Sequence, residues 1–297
     1  MSKMLPLRTQ RQTIQVAEQR WLGFIEYGAP TGLPVFYFHG LHGSHLEPFG
    51  FADVLAKEFN IRFIVVERPG YGLSTAYTNT LLDWPKDIEV IASHLSLEHF
   101  DVLGYSGGGP FVAACAYALP RRVRRAVIVA GLGPLDGSHP TGLEEVSRFY
   151  PTRILFWVSK FAPWLIRLPV KAMLALLRNR PWFMIRRMSL ADQKTAEKYQ
   201  LGEWFQKALF PRELRQNTGG AVADLRIAVS PWGFRLEDIQ CPTFVFHGAG
   251  DKQCSPTMGR VYAENIPGAY WHLFEDVGHL LVFEYMREIL QVLVEDK

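Results

Sequence analysis

The sequence Gly-Tyr-Ser-Gly-Gly at residues 104–108 is the most informative stretch of the chain, because it joins a predicted strand to a predicted helix. β-Branched and aromatic residues favour a strand over residues 100–105, and a helical pattern then extends to Leu119. Bulky side chains beside a turn this sharp would collide with it, which explains the glycines on both sides of Ser106. Such a turn lifts the serine hydroxyl above the sheet edge and points helix amides at it. We therefore predict that Ser106 is a nucleophile.

A base and an acid that could activate this serine follow two later strands. Asp251 closes the stretch His-Gly-Ala-Gly-Asp after one predicted strand, and His279 follows the next. A serine hydroxyl needs a base to take its proton, and the base needs a carboxylate that fixes its tautomer. We predict a catalytic triad of Ser106, Asp251 and His279. Asp136 is an alternative acid, because it too follows a predicted strand.

A second glycine-rich loop, His-Gly-Leu-His-Gly at residues 39–43, directly follows another predicted strand. Acyl transfer needs two backbone N–H groups aimed at the oxygen on which negative charge develops. We assign this oxyanion hole to the amides of Leu41 and Gly107, because short glycine-rich loops allow the backbone to approach so closely. His42 and Tyr105 adjoin these loops in sequence, and we predict that they contact the substrate.

The predicted elements divide the chain into a core and an insertion. Strands and helices alternate up to residue 133 and again from residue 236, which is typical of an α/β protein with a mostly parallel sheet. Residues 134–235 carry only helical patterns, which prolines divide into short pieces. We predict a core formed by residues 1–133 and 236–297, and an all-helical cap formed by residues 134–235.

Taken together, these motifs resemble the α/β-hydrolase superfamily, in the serine-nucleophile branch with a helical cap. The resemblance is carried by His39-Gly40, residues 67–72 with Ser74, residues 104–108, residues 247–251 and Gly278-His279. The chain order serine, aspartate, histidine is also the order of that family's triad. The resemblance implies an eight-stranded sheet whose second strand is antiparallel and whose flanks carry helices. It also implies a site between the core and the cap.

The residue type at position 106 restricts the kind of reaction that the site can catalyse. Haloalkane dehalogenases and epoxide hydrolases of this fold use an aspartate there, and a carboxylate attacks carbon by displacement. Ser106 instead suits acyl transfer. We predict a carboxylesterase-like serine hydrolase acting on an ester, thioester or lactone of a small or medium apolar substrate, without a metal ion or cofactor.

Three other activities stay open on the same residues. The Ser106 and His279 pair could serve a carbon–carbon bond hydrolase or a lyase. A slow-turnover, receptor-like protein could retain the triad and bind its ligand tightly. Amide cleavage is less favoured than ester cleavage, because the cap sequence offers no acidic clamp for a substrate amine.

The cap sequence is unusually basic and aromatic. No acidic residue lies between Val146 and Ala191. That stretch carries the cations Arg148, Arg153, Lys160, Arg167, Lys171, Arg178, Arg180, Arg186 and Arg187. Aromatic residues alternate with them at Phe149, Tyr150, Phe156, Trp157, Phe161, Trp164, Trp182 and Phe183. The pattern fits weak association with an anionic membrane surface or a substrate with an anionic head. It also fits helices that pack on the core while Arg and Lys stems cover the rim.

Composition excludes several other classes. The 297-residue chain has a net charge of +3, which gives no reason to expect a nucleic-acid partner. Its three cysteines include no Cys-x-x-Cys pair, so neither a disulfide framework nor a zinc site is indicated. No uncharged apolar run reaches the roughly 18 residues needed to span a bilayer. We expect a cytoplasmic protein that acts on a small molecule.

Overall fold

A single eight-stranded sheet forms the centre of the protein. The computed structural model describes residues 11–50, 53–77, 80–139, 142–146, 150–206 and 217–295. The strands are β1 Gln12–Ala17, β2 Arg20–Gly28, β3 Leu33–Phe38, β4 Ile61–Val66, β5 Phe100–Tyr105, β6 Val123–Val129, β7 Thr243–Gly248 and β8 Tyr270–Phe274. They lie in the order β1-β2-β4-β3-β5-β6-β7-β8.

Strand directions agree with the fold that the motifs predicted. β2 is antiparallel to both of its neighbours, β1 and β4. The pairs from β4 through β3, β5, β6 and β7 to β8 are all parallel. Parallel strands covered on both faces read as continuous apolar runs, and every residue of β5 and β7 is buried. The prediction of a mostly parallel eight-stranded sheet flanked by helices is confirmed.

Helices cover both faces of the sheet. The core helices are α1 Asp53–Glu58, α2 Asp83–His94, α3 Gly109–Ala118, α10 Pro256–Asn265 and α11 Val282–Val294. Neighbouring residues of one strand belong to different apolar clusters. Phe36 lies in the cluster that contains Trp84 of α2, while Tyr37 lies in the cluster that contains Leu290 of α11. Burying both faces fixes the strand ends relative to one another, and the loops that carry the site emerge from those ends.

Two helical boundaries differ from the sequence-based expectation. The sequence pattern of residues 46–59 predicts one helix, but the structure has a 3₁₀ turn at Glu47–Gly50 and a short α1 after it. Pro48 and Gly50 both disfavour a continuous α-helix here. The helix after Ser106 also starts as a 3₁₀ turn, Ser106–Gly108, before α3.

A group of helices follows β6 and covers the carboxyl edge of the sheet. They are α4 Tyr150–Phe161, α5 Arg167–Asn179, α6 Pro181–Ile185, α7 Leu190–Lys198, α8 Leu201–Trp204 and α9 Asn217–Ala228. No strand occurs among the described residues of 134–235, apart from one isolated bridge between Val146 and Cys254. Phe156 and Leu177 of this cap share an apolar cluster with Leu132 and Leu280 of the core. The exact bounds of the cap stay a prediction.

In the residues that the structure describes, no helix combines the length and the apolar character needed to cross a bilayer.

The turn at the end of β5 leaves no room for a side chain at Gly104. A Cβ atom there would lie 2.6 Å from the carbonyl oxygen of Gly108 and 2.7 Å from Cγ2 of Val112. We expect Gly104→Ala to lower the free energy of unfolding by about 1–3 kcal/mol or more, because the backbone itself must move. Gly219→Ala is the matched control, since a Cβ there meets nothing within 4 Å. Urea denaturation measures both, and equal stabilities of the two variants would contradict the packing argument.

Candidate active site

Ser106 is held in a strained conformation at the junction of β5 and α3. Its φ of 54° lies in the left-handed region, which side chains other than glycine rarely adopt. The turn also requires glycine at position 108, because a Cβ atom there would lie 2.2 Å from the carbonyl oxygen of Phe38. Strain of this kind persists where the surroundings enforce it, and it marks functional sites.

The structure brings the three predicted triad residues together. Nε2 of His279 lies 3.0 Å from Oγ of Ser106. Nδ1 of the same ring lies 2.7 Å from Oδ2 of Asp251. Asp251 comes from the loop after β7, and His279 from the 3₁₀ turn before α11. Both distances are hydrogen-bond distances, so a proton can pass from the serine to the histidine while the aspartate orients the ring.

The surroundings of Asp251 keep its carboxylate charged. Burial alone would raise its pKa, but the facing imidazoles of His279 and His247 outweigh burial and hold the pKa far below its usual range. Its Oδ1 atom accepts backbone N–H bonds from Gln253 at 2.7 Å and Cys254 at 3.0 Å. The carboxylate is therefore both ionised and fixed in orientation.

The pKa of His279 is shifted upward, whereas that of Asp251 is shifted downward. Burial disfavours its charged form, but the Asp251 carboxylate has the larger combined effect and raises the pKa of His279 above its ordinary 6.5. Two contacts fix the loop that carries it. Tyr105 donates its hydroxyl hydrogen to the carbonyl oxygen of His279 at 2.9 Å. The cap residue Asp192 accepts the N–H of Leu280 at 2.8 Å.

The alternative acid Asp136 lies apart from the histidine. Its Oδ1 atom accepts hydrogen bonds from the backbone N–H and the hydroxyl of Ser138, at 3.0 and 2.5 Å. These bonds are solvent-exposed and close a local turn. In this structure Asp251, and not Asp136, is hydrogen-bonded to His279.

The loop at residues 39–43 lies directly against the serine turn. A Cβ on Gly107 would lie 2.7 Å from the amide nitrogen of Leu41. A Cβ on Gly40 would lie 3.3 Å from Cβ of Ser106. The amides of Leu41 and Gly107 therefore flank the nucleophile, as an oxyanion hole requires. Their role in binding an oxyanion stays a prediction.

The two residues predicted to contact the substrate line the same cavity as Ser106. Tyr105 contributes its ring, while its hydroxyl is bound to the backbone of the histidine loop. His42 has a positive φ of 62°, and loss of solvent around its ring lowers its pKa to about 4. It is therefore neutral at physiological pH. Among the described residues, its Nδ1 atom has no hydrogen-bond partner.

Arg68 holds the loop at residues 39–43 from one side. Its fully buried guanidinium donates to the carbonyl oxygens of His39 at 2.5 Å and Gly40 at 3.0 Å. Its charge is balanced by Asp224 of α9, at 2.6 Å, which also accepts the hydroxyl of Tyr71 at 2.8 Å. Residues 67–72, which include Arg68, carry part of the family resemblance, but nothing in the sequence marked Asp224 of the cap as the partner of Arg68.

Glu47 holds the same loop from the other side, and sequence reasoning did not identify it. Its Oε1 atom accepts the N–H of Gly40 at 2.9 Å and the hydroxyl of Tyr37 at 2.8 Å. Burial raises the pKa of this carboxyl to about 7. Gly40 is thus held at both its N–H and its C=O. Because a peptide unit is planar and trans, fixing the Gly40 carbonyl also fixes the direction of the Leu41 N–H.

An apolar cavity of about 140 Å³ opens above Ser106. Glu47 is the one carboxylate among its described lining residues, and Arg187 contributes the one Lys or Arg side chain. The cap supplies most of the apolar lining, through Phe156, Met173, Leu177, Met184, Met188, Trp204 and Phe205. In the described part of the chain, no group of three or more His, Cys, Asp or Glu residues could hold a metal ion.

Removing the carboxylate that faces Arg68 tests the buried ion pair. Asp224→Asn leaves a buried guanidinium uncompensated, and we expect it to cost about 3–5 kcal/mol of unfolding free energy. Glu58→Gln is the control, because the Glu58–Arg287 pair has similar geometry but is about half exposed, at 50% and 53%. We expect that control to change little. Chemical denaturation measures both, and an unaffected Asp224→Asn variant would contradict the assigned role of the pair.

Comparisons with known proteins agree with this architecture. The family model described as alpha/beta hydrolase fold matches residues 34–285. A Bacillus subtilis protein named Uncharacterized hydrolase YcgS is 26% identical over 269 residues, which cover 87% of this chain and 89% of that protein. The proline iminopeptidase of Lactobacillus crispatus is 22% identical over 291 residues, covering 88% of each chain.

A solved structure shows the same fold over almost the whole length. The esterase EaEST from Exiguobacterium antarcticum superposes with a TM-score of 0.70 at 19% identity, covering 96% of this chain and 98% of the esterase. The family match begins inside β3 and spans strands β4 to β8, the serine turn and both later loops of the site. The chain therefore belongs to the alpha/beta hydrolase fold family of enzymes.

Proposed function

We propose that the protein is a serine hydrolase that cleaves an ester, thioester or lactone of a small or medium apolar substrate through an acyl-enzyme. The observation that carries the proposal is the hydrogen-bonded chain from Ser106 through His279 to Asp251 beneath an apolar cavity. An alkoxide suits attack on an acyl carbon, and the base needed to form it lies 3.0 Å from the hydroxyl.

Each group of the site has one step in this reaction. Nε2 of His279 takes the hydroxyl proton of Ser106 as Oγ forms a bond to the acyl carbon. The amides of Leu41 and Gly107 bind the oxygen that becomes negative. The imidazolium, stabilised by Asp251, then protonates the leaving alcohol or thiol as its bond to carbon breaks. Water then loses a proton to the same nitrogen and attacks the acyl carbon. The imidazolium returns that proton to Oγ of Ser106 as the bond from carbon to Oγ breaks, which releases the acid and the free serine.

The orientation of the oxyanion donors depends on groups outside the triad. Glu47 and Arg68 hold the Gly40 peptide units, and the Leu41 amide follows from them. A preorganised donor costs no reorganisation during the reaction, and one such donor contributes about 10²–10³-fold in rate. The proposal needs no cofactor, because the nucleophile, the base and the oxyanion donors are all protein groups.

The cavity favours an apolar acyl or alcohol group of limited size. Its volume is about 140 Å³, and methionines of α5, α6 and the adjoining turn form part of its wall. Methionine side chains adapt to irregular shapes, so the wall can accept related groups. Hydrophobic burial then supplies most of the binding free energy for such a group, at about 25 cal/mol per Å² of apolar surface removed from water.

Amide cleavage is the second candidate, because several curated relatives are named proline iminopeptidase. An enzyme that selects a free substrate amine needs an available carboxylate in the pocket. Glu47 is the one carboxylate in the described lining, but its Oε1 and Oε2 atoms already accept the N–H of Gly40 at 2.9 and 3.0 Å. This arrangement favours an ester over a proline amide. Carbon–carbon cleavage, lyase chemistry and slow turnover of a tightly bound ligand stay open as alternatives on the same triad.

The proposed setting is cytoplasmic, with a small molecule as the partner. Cys115, Cys241 and Cys254 are all free and buried, which agrees with a reducing compartment. Burial also raises the pKa of Cys254 well above its usual value, so this thiol beside the site is not an activated nucleophile.

Kinetics on a substrate panel test the proposed reaction. With p-nitrophenyl esters of increasing chain length, we expect Ser106→Ala to lower kcat about 10⁴- to 10⁶-fold, because the acyl-enzyme can no longer form. Proline p-nitroanilide in the same panel tests the amide alternative. Faster cleavage of the anilide than of every ester would favour that alternative, and an active Ser106→Ala variant would contradict the nucleophile.

The pH dependence tests the assigned base. His279 accepts a proton only when neutral, and its pKa is raised above 6.5 by Asp251. We therefore expect kcat/KM to fall as pH drops through an apparent pKa above 6.5. In Asp251→Asn the residual kcat/KM should fall only at a lower pH, because the carboxylate no longer raises the pKa of His279. Glu47→Gln is the control, because burial raises the pKa of Glu47 to about 7 and its titration could produce a similar limb. If the limb vanished in that variant, Glu47 rather than His279 would set it.

A further inference from the structure

The cap carries a large apolar surface that faces solvent. We define the outer apolar surface as Ile154, Trp157, Phe161, Trp164, Leu165 and Leu168. Phe161 is 67% exposed, Trp164 71% and Leu168 78%. The rings of Trp157 and Phe161 contact each other, with centroids 5.5 Å apart. Single exposed apolar residues are ordinary, but six of them within residues 154–168 point to an interaction surface.

Helices α4 and α5, which carry four of these six residues, also bury apolar side chains on their inner faces. In α4 the inner residues Leu155 and Phe156 are buried against the rest of the cap and the core. In α5 the inner residues Val170, Leu174 and Leu177 are buried in the same cluster. A helix that only covers a protein core needs one apolar face and presents polar side chains outward. The second apolar face is therefore not explained by packing among the described residues.

Positive charge surrounds the outer apolar surface. Lys160, Arg167 and Lys171 are exposed on the same two helices or at their ends. None of the salt bridges found among the described residues involves these three side chains. The sequence has no acidic residue between Val146 and Ala191. Arg148 and Phe149 of that stretch lie outside the described residues.

We propose that the outer apolar surface docks on the anionic surface of a lipid bilayer. Tryptophan, phenylalanine and leucine would enter the boundary between headgroups and acyl chains, while the cations meet anionic headgroups. A cation of this kind near an anionic bilayer contributes about fivefold in affinity per side chain, which corresponds to about 1 kcal/mol. A second copy of the chain fits less well, because a two-fold interface would bring the same cations face to face.

Docking would place the bilayer next to the catalytic cavity. Phe156 of α4 and Met173 and Leu177 of α5 line that cavity from the inner faces of the helices whose outer faces carry the surface. Only one layer of helices then separates the lipid from the cavity. A lipophilic ester dissolved in the bilayer would be concentrated beside the enzyme. This consequence rests on the proposed function, whereas the docking itself does not.

Co-sedimentation with vesicles tests the docking independently of catalysis. We expect the full chain to bind vesicles of mixed phosphatidylglycerol and phosphatidylcholine at low salt. Binding should weaken at least tenfold with pure phosphatidylcholine, and it should weaken as salt is added. Absence of binding to the anionic vesicles at low salt would overturn the proposal, and so would equal binding to both vesicle types.

Matched variants locate the apolar contact. Trp164→Ser/Leu168→Ser removes side chains that are 71% and 78% exposed, and it should lower vesicle binding at least tenfold. Val54→Ser/Leu190→Ser removes side chains that are 75% and 74% exposed but lie outside the surface, and it should bind as the wild type does. Equal losses in the two double variants would contradict the location. Circular dichroism and retained esterase activity would show that both variants are folded.

A second pair of variants tests the charge. Lys160→Gln/Arg167→Gln/Lys171→Gln should reduce binding to anionic vesicles by about 100-fold or more, because three headgroup contacts are lost. Arg121→Gln/Lys194→Gln/Arg260→Gln removes three exposed cations elsewhere and should change binding much less. Analytical ultracentrifugation tests whether the surface binds a second copy of the chain instead of a bilayer. A wild-type dimer that Trp164→Ser/Leu168→Ser dissociates, without vesicle binding, would assign the surface to a second copy and overturn the proposal.

Discussion

The buried guanidinium of Arg68 connects the cap, the core and the loop at residues 39–43. A charge with no access to water must be compensated, and Asp224 of α9 compensates it at 2.6 Å. The remaining donors of the guanidinium bind the carbonyl oxygens of His39 and Gly40. A cap that moved away would take Asp224 with it and leave the buried cation that holds those carbonyls without its counter-ion. The cap is therefore part of the catalytic geometry as well as a wall of the cavity.

The second constraint is the close approach of backbone to backbone around Ser106. Gly108 packs against the end of β3, and Gly107 packs against the amide of Leu41. These contacts hold the serine at a φ of 54°, and the same contacts set the two proposed oxyanion donors beside it. Asp192 of the cap then binds the Leu280 amide next to the base. Strain at the nucleophile is stabilised by packing distributed over the core and the cap.

The sequence predicted the parts of this arrangement that depend on local pattern. Strand positions followed from β-branched runs, and the triad followed from residue types at strand ends. Glu47 and Asp224 could not be found in this way, because their significance depends on burial against a loop that is distant in sequence. The cap sequence likewise allowed two interpretations of its aromatic and basic residues, as a surface for an anionic partner or as helices packed on the core. Only the packed helices show that Phe156 faces the cavity while Trp157 faces solvent.

Labelling with a fluorophosphonate probe, read by intact mass, tests most directly whether Ser106 is an activated nucleophile. The probe needs no knowledge of the substrate, because it reports only a serine whose proton a nearby base can take. The hydrogen-bonded triad predicts a single adduct on the wild type that disappears in Ser106→Ala. A well-folded wild type that stays unlabelled, or a Ser106→Ala variant that still forms the adduct, would contradict the account.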